Sequence, residues 1–317
     1  MRIKKKITII GPKAYGYTSY IHSVLLRFSD VDSHLIFIDQ TAFKYKNFFQ
    51  RIEFFFLKIL FKKKIKRVYL NNSIMGQVEK FGKQDYIFII RPDELYDETL
   101  KFLSKKAENF VGFYYDSTRR LPRKVEIISF FDTLYSYDKE DVEKYDLKFL
   151  TNYIFEESKA DTYEYLFFNI SSMDFRFPSL EAIAKYIDEK KWSKQLLVYT
   201  QGNDVSDCLT ILKEKKEVSE VSELIKKCKI IVEIQRNDQT GLSFRAFEAL
   251  GHRKKLITTN DDIVNYDFYN PQNILVIDEN NIEIPDSFVN LPYVEVAPEI
   301  LNKYKIENWV KPIFQLK

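Results

Sequence analysis

Arg236, Thr240, Arg245 and Glu248 crowd into the stretch QRNDQTGLSFRAFEALG, around the single turn glycine Gly241. Such polar groups suit an anion such as a phosphate, above all where a helix begins and its first amides are free. The flanking residues say that a helix does begin there. Leu242, Ala246, Ala249 and Leu250 recur at helical spacing, with Ser243 or Thr240 available as the N-cap. Ahead of them, SELIKKC gives a short helix with Leu224, Ile225 and Cys228 inward, followed by an apolar run from Ile230 to Ile234. Behind them, Lys255 to Thr259 reads as another short strand. Strand, glycine loop, helix and strand in this order close a right-handed crossover in a parallel sheet. The loop then lies at the carboxyl edge of the sheet, where open α/β folds bind ligands. The competing reading is that Arg245 and Glu248 decorate a solvated helix face.

Length and composition bound what surrounds this unit. At 317 residues the chain exceeds what one core usually serves, so two domains are expected. A hydrophobic share of 45% with 30% charged residues describes an ordinary globular chain. Cys208 and Cys228 make no disulfide framework, and with His22, His34 and His252 scattered they build no familiar zinc or iron site, so no metal is expected. The start MRIKKKITIIGP has an apolar run too short for a signal peptide and reads as a first strand. No apolar stretch approaches the roughly 20 residues of a membrane span. A cytoplasmic location is expected.

The N-terminal half alternates strands and helices. Strands are expected at IKKKITIIG, SHLIFID, DYIFII, NFVGFYYD, FFDTLYSYD and KFLTNYIF, with helices near 17–28, 97–106 and 139–145. A polar interval at 156–165 leads into a second series: strand YLFFNISS, helix SLEAIAKYIDEKK, strands KQLLVYTQG and CLTILK, the unit described above, and strand NILVID. The tail PEILNKYKIENWVKPIF is expected to form one last helix. The expected domains are 1–155 and 156–295, with 296–317 a C-terminal helix that could cross back to the first. A cleft between two such domains would face the glycine loop.

Tandem Rossmann-like domains carrying G-L-x-x-R-x-x-E-A-L on a second-domain helix resemble the GT-B glycosyltransferases. The chain also resembles bacterial capsule and lipopolysaccharide biosynthesis proteins, through FFDTLYSYDKEDVEKYDLKFL, IVEIQRNDQTGLSFRAFEALGHRKKLITTN and DFYNPQNILVID. The resemblance implies an α/β fold of two Rossmann-like domains facing a central cleft. It also implies transfer of a sugar from a nucleotide-sugar donor to a lipid-linked or oligosaccharide acceptor, without a metal or other cofactor. In many retaining members a helix near E-G-x-G-L-x-x-x-E-A binds the donor, its second glutamate holding the ribose hydroxyls. Glu248 matches that second position, whereas Thr240 stands at the first, so the sugar and the stereochemical outcome stay open. Negative charge growing on the leaving phosphate needs cations; Arg245, Arg236 and Arg176 are the candidates, and Arg245 is assigned a catalytic part. Gln239, Thr240, Gly241 and Asn260 complete the donor set in the second domain. Gly11, in the loop GPKAYGYTS after the first strand, joins them from the first. Asp116, ending NFVGFYYD, is the candidate general base an inverting enzyme needs, with Asp138 as a weaker choice.

Residues 44–69, KYKNFFQRIEFFFLKILFKKKIKRVY, are basic and aromatic. They read either as an amphipathic surface docking on anionic lipid at the inner face of the cell membrane, or as a first-domain helix packed on its sheet. With a net charge of only +3 and no recognisable module, a nucleic-acid partner is not expected. Two rivals stand beside the transferase: a metal-dependent GT-A enzyme, for which Asp30-Val31-Asp32 falls too early, and a non-catalytic sugar- or nucleotide-binding scaffold protein of the same pathway.

Overall fold

The computed structural model describes residues 4–13, 16–39, 65–160 and 162–317. Contacts between Cα atoms divide the chain into two units: Met1–Leu150 with Phe314–Leu316, and Thr151–Ile313 with Lys317.

In the first unit the strands are β1 (Lys5–Gly11), β2 (Val31–Phe37), β3 (Gln84–Ile90), β4 (Ala107–Tyr114), β5 (Thr133–Ser136) and β6 (Lys148–Phe149). They form one parallel sheet in the order β2-β1-β3-β4-β5-β6. Its helices are α1 (Tyr17–Leu25), α2 (Ile65–Phe81), α3 (Asp97–Lys106), the single turn α4 (Arg123–Glu126) and α5 (Lys139–Tyr145). Helix α2 was not expected over its full length, although Leu70, Ile74 and Val78 recur every four residues and are buried in the core. Asn71, Asn72 and Gly76 dilute that signal, being poor helix formers. Residues 44–64 of the basic, aromatic segment lie outside the described residues, and 65–69 begin α2. Among the described residues no helix is long and apolar enough to cross a membrane.

The second unit contains β7 (Tyr165–Ser172), β8 (Lys194–Tyr199), β9 (Thr210–Leu212), β10 (Cys228–Glu233), β11 (Lys255–Thr258) and β12 (Ile274–Val276). These too are all parallel, ordered β12-β11-β10-β7-β8-β9. The helices are α6 (Phe177–Glu189), α7 (Val218–Lys226), α8 (Phe244–Gly251), α9 (Asp286–Asn290), α10 (Pro298–Tyr304) and α11 (Ile306–Phe314). Successive strand residues point to opposite faces. Phe167, Ile230, Val232 and Ile257 therefore pack on one side with Leu180, Ile183 and Ile187 of α6. Phe168, Ile231 and Leu256 pack on the other with Phe247, Ala249 and Leu250 of α8. Burying each large apolar side chain contributes about 1.5–3 kcal/mol, and both faces are used, which is why these strands read as continuous apolar runs.

Two expectations are corrected. KFLTNYIF is not one strand: the sheet ends at Phe149, and Ile154 instead pairs with Lys305. For the same reason the tail is two helices. Tyr304 O accepts from Ile154 N at 2.8 Å and Ile306 N donates to Ile154 O at 2.9 Å, so these backbone groups are withdrawn from a continuous helix.

The segment around Ile154 is fastened to the end of α8. Ser158 N donates to Gly251 O at 3.1 Å, and the Ser158 hydroxyl meets His252 Nδ1 at 2.7 Å. A Cβ on Gly251 would lie 2.3 Å from Glu156 O and 2.7 Å from Ile154 Cγ2. Gly251→Ala should therefore lower stability by about 1–3 kcal/mol, whereas Gly76→Ala in α2, with nothing near its Cβ, should raise it by about 0.5–1 kcal/mol; urea titration of both variants measures this. Burial pushes the His252 imidazole down to about 4. The unfolded chain thus binds a proton that the folded one refuses, and the contribution of His252 to stability falls as pH drops from about 6.5 toward 4, by roughly 3 kcal/mol. Replacement by asparagine should flatten that part of the stability profile.

Candidate functional site

Strand β7 lies between β8 and β10, so the chain leaves its sheet to one side after β7 and to the other after β10. At such a switch point the loops diverge and a crevice opens beyond the carboxyl ends. A cavity of about 90 Å³ occupies this place, and Asn169, Asp174, Arg176, Glu233, Ser243 and Arg245 are among its polar lining residues. Two helices start here. Helix α6 begins after Arg176 with Pro178 in its first turn, where the missing amide costs nothing. Helix α8 begins after Ser243, whose hydroxyl accepts from Arg245 N at 3.2 Å. The remaining first-turn amides give this edge a positive character.

Glu233, the last residue of β10, is a buried carboxylate at the end of an apolar strand. Burial pushes its carboxyl up, against hydrogen bonds from Thr258 and Ser243 and the charges of Arg176 and Arg245. Thr258 Oγ1 donates to Glu233 Oε2 at 2.5 Å, and Asn260 N donates in turn to Thr258 Oγ1 at 3.0 Å. Through Ser243 the carboxylate also holds the first turn of α8. Neither Glu233 nor Asp174 was anticipated from the sequence, where Glu233 passes as one polar residue in a strand.

The arginines are held by carboxylates. Arg176 donates to Asp174 through Nε at 3.0 Å and Nη2 at 2.7 Å, and to Ile234 O at 3.0 Å. Arg236 reaches Asp174 at 3.0 Å and Asp238 at 2.9 Å, with its guanidinium 4.8 Å from the Phe175 ring centroid. Burial alone would raise the Asp174 carboxyl, but the hydrogen bonds and charge of Arg176 and the charge of Arg236 outweigh it and hold it below the usual carboxylate range. Arg245 pairs with Glu248.

Of the expected donor residues, then, Arg176 and Arg245 line the cavity, and Arg236 joins it through Asp174. Glu248 is buried beneath α8, its carboxyl pushed up by burial and drawn down by Arg245. Gln239, Thr240 and Gly241 shape the loop. Gln235 Nε2 donates to Gln239 O at 3.0 Å and Gly241 O at 3.1 Å, and Asn260 Nδ2 donates to Thr240 O at 3.1 Å.

The first unit has its own switch point between β1 and β3. Gly11 ends β1, where a Cβ would lie 2.9 Å from the Thr18 side chain. Arg91 follows β3 in the left-handed region, φ 63°, and grips Asp93 through Nε and Nη2 at 3.0 and 2.9 Å. Asp116 follows β4, is buried, and pairs with Arg120, while Arg91 stands 3.9 Å away. Lys124 donates to Asp116 O and is wholly buried, which pushes its ammonium down to about 8. Asp138 is the N-cap of α5, accepting from Glu140 N and Asp141 N. His22 contacts Ser33 O at 3.1 Å.

Two six-stranded parallel sheets in tandem, each flanked by helices and each with a switch point, define the GT-B type of α/β fold. The chain is similar to the trehalose-6-phosphate phosphatase N-terminal domain of Candida albicans at a TM-score of 0.60 and 8% identity, over 99% of this chain and 97% of that one. It is similar to a UDP-forming α,α-trehalose-phosphate synthase of Burkholderia xenovorans at 0.57 and 9%, over 98% and 99%. A third likeness is to the UDP-GlcNAc 2-epimerase of Neisseria meningitidis bound to UDP-GlcNAc, at 0.52 and 12%, over 98% of both. No protein-family model matches the chain, and no curated protein does.

Because burial raises the Glu233 carboxyl, its contribution to stability declines as pH rises above about 4.5, where the unfolded glutamate ionises first. Glu233→Gln has no proton to lose, so its stability relative to wild type should improve from pH 4.5 toward neutrality. Denaturant midpoints at several pH values measure that difference.

Proposed function

We propose that this protein is a GT-B-type glycosyltransferase that moves a sugar from a nucleotide-sugar donor to a bacterial surface glycan, of capsule or lipopolysaccharide, without a metal. One observation carries the reading: the cavity at the β7/β10 switch point, set between two helix starts and lined by Arg176 and Arg245. Breaking the glycosidic bond leaves negative charge on a phosphate, and fixed guanidinium groups and helix amides stabilise such charge without reorganising. Fold neighbours described as UDP-forming and as bound to UDP-GlcNAc support a nucleotide-sugar ligand.

In this reading Arg245 and Arg176 take the diphosphate, with Arg236 behind them. The loop of Gln239, Thr240 and Gly241, with Asn260, borders the nucleotide. Glu248 is the carboxylate for the ribose hydroxyls and meets them as its pair with Arg245 opens. Gly11 gives the first unit a close-packed turn beside its own edge, and Asp116 deprotonates the acceptor hydroxyl. Residues 44–69 bring the enzyme to anionic lipid at the inner membrane face.

A non-catalytic binding protein of the same pathway is favoured by two observations: Thr240 stands where the resembling enzymes carry a glutamate, and Glu248 is buried against Arg245. Thermal melting against nucleotides and nucleotide sugars, with and without EDTA, tests the site. At a ligand concentration of one hundred times Kd, binding adds about 2.7 kcal/mol and raises Tm by several degrees. The expected result is a shift by one nucleotide family that survives EDTA and is lost in Arg245→Ala. No shift from a folded sample rejects the donor site. Binding without sugar transfer to any glycan acceptor favours the non-catalytic reading.

A further inference from the structure

The cations of the second unit's cavity are already taken by carboxylates of the same chain. Asp174 stands in the loop between β7 and α6 and lines the cavity with Arg176. Its two oxygens accept from Arg176 N, Nε and Nη2 at 3.0, 3.0 and 2.7 Å and from Arg236 Nη1 at 3.0 Å. A guanidinium offers a carboxylate the same planar pair of donors that it offers two phosphate oxygens. Asp238 holds the far side of Arg236 at 2.9 Å but lies outside the cavity lining. Asp174 itself is 23% exposed, so its side chain has water to turn into.

We infer that Asp174 is an internal stand-in for ligand phosphate: it occupies Arg176 and Arg236 until a diphosphate displaces it. The inference rests on the proposed nucleotide-sugar site and adds a selection rule to it. A ligand must bring enough negative charge and enough oxygens to outcompete a carboxylate tethered two residues from its own arginine. A diphosphate does so; a single phosphate competes on nearly equal terms and gains little. The tethered carboxylate lowers every displacing ligand's affinity by the same factor, so a weakly held anion drops out of its working range while a tightly held one stays within it. It also keeps two neighbouring guanidinium groups neutralised while the site waits.

Calorimetric titration with inorganic pyrophosphate and with inorganic phosphate tests this in wild type, Asp174→Asn and Asp238→Asn. Asparagine at 174 can still accept from Arg176 N, so the start of α6 keeps its backbone partner, and a melting curve checks the fold. Asp174→Asn should bind pyrophosphate and phosphate each about tenfold tighter, with the preference between them unchanged, because displacing the tethered carboxylate costs every ligand the same factor. Asp238→Asn should change either affinity by less than about twofold. Equal gains in both variants would reduce the effect to net charge and overturn the inference. Unchanged or weaker pyrophosphate binding in Asp174→Asn, with wild type binding, overturns the stand-in and leaves the nucleotide site standing. So does nucleotide binding by wild type with no pyrophosphate binding by either protein. Absence of all binding, nucleotides included, rejects the site itself.

Discussion

A carboxylate placed at the end of a strand whose neighbours are all apolar must find donors within its own surroundings or unfold them. Glu233 is in that position at the end of β10, and the edge of the second sheet is organised around it. Thr258 from β11 supplies one hydroxyl, and Ser243 at the start of α8 supplies another. Asn260 then donates to Thr258 and, through its side chain, to Thr240 O. One buried group thereby links the ends of two adjacent strands, the glycine loop and a helix start. The apolar residues Ile230, Ile231 and Val232 fill both faces of β10 up to Glu233, where the strand ends at the sheet edge.

Charge at both sheet edges follows a common pattern. In the second unit Arg176, Arg236 and Arg245 are matched by Asp174, Asp238 and Glu248. At the first unit's edge Arg91 and Arg120 are matched by Asp93 and Asp116. Partly buried guanidinium groups without such partners would carry a large desolvation penalty. The pairing fixes their direction in advance, so that a ligand meets oriented cations and little side-chain freedom remains to be lost on binding.

Much of the scaffold was legible, because apolar periodicity reports it directly. Helices 97–106 and 139–145 and strand YLFFNISS were read with the bounds they have, and the strand-loop-helix-strand unit placed Arg245 at an edge. What escaped depends on partners distant in sequence. The break at Lys305 exists because Ile154 takes the backbone groups on either side of it, and no local pattern announces that. Glu233 was missed because strand periodicity treats a polar residue in an apolar run as noise, whereas its cost should have prompted a search for donors. The orientation of Glu248 was hidden for a different reason. Helix α8 is buried from Ala246 to Gly251, so it has no solvent face from which the outward direction could be inferred.

The fastening of Ile154 to Lys305, with Trp309 Nε1 donating to Thr151 O at 2.8 Å, brings the two ends of the second unit side by side. The first unit, by contrast, takes its last piece from the far end of the chain: Phe314 sets its ring against Tyr86 and Phe88, and Lys5 Nζ donates to its carbonyl at 2.8 Å. In the order of synthesis the second unit is an insertion. It can close as soon as its own residues have left the ribosome, whereas the first, begun earlier, waits for Phe314 before its sheet is sealed.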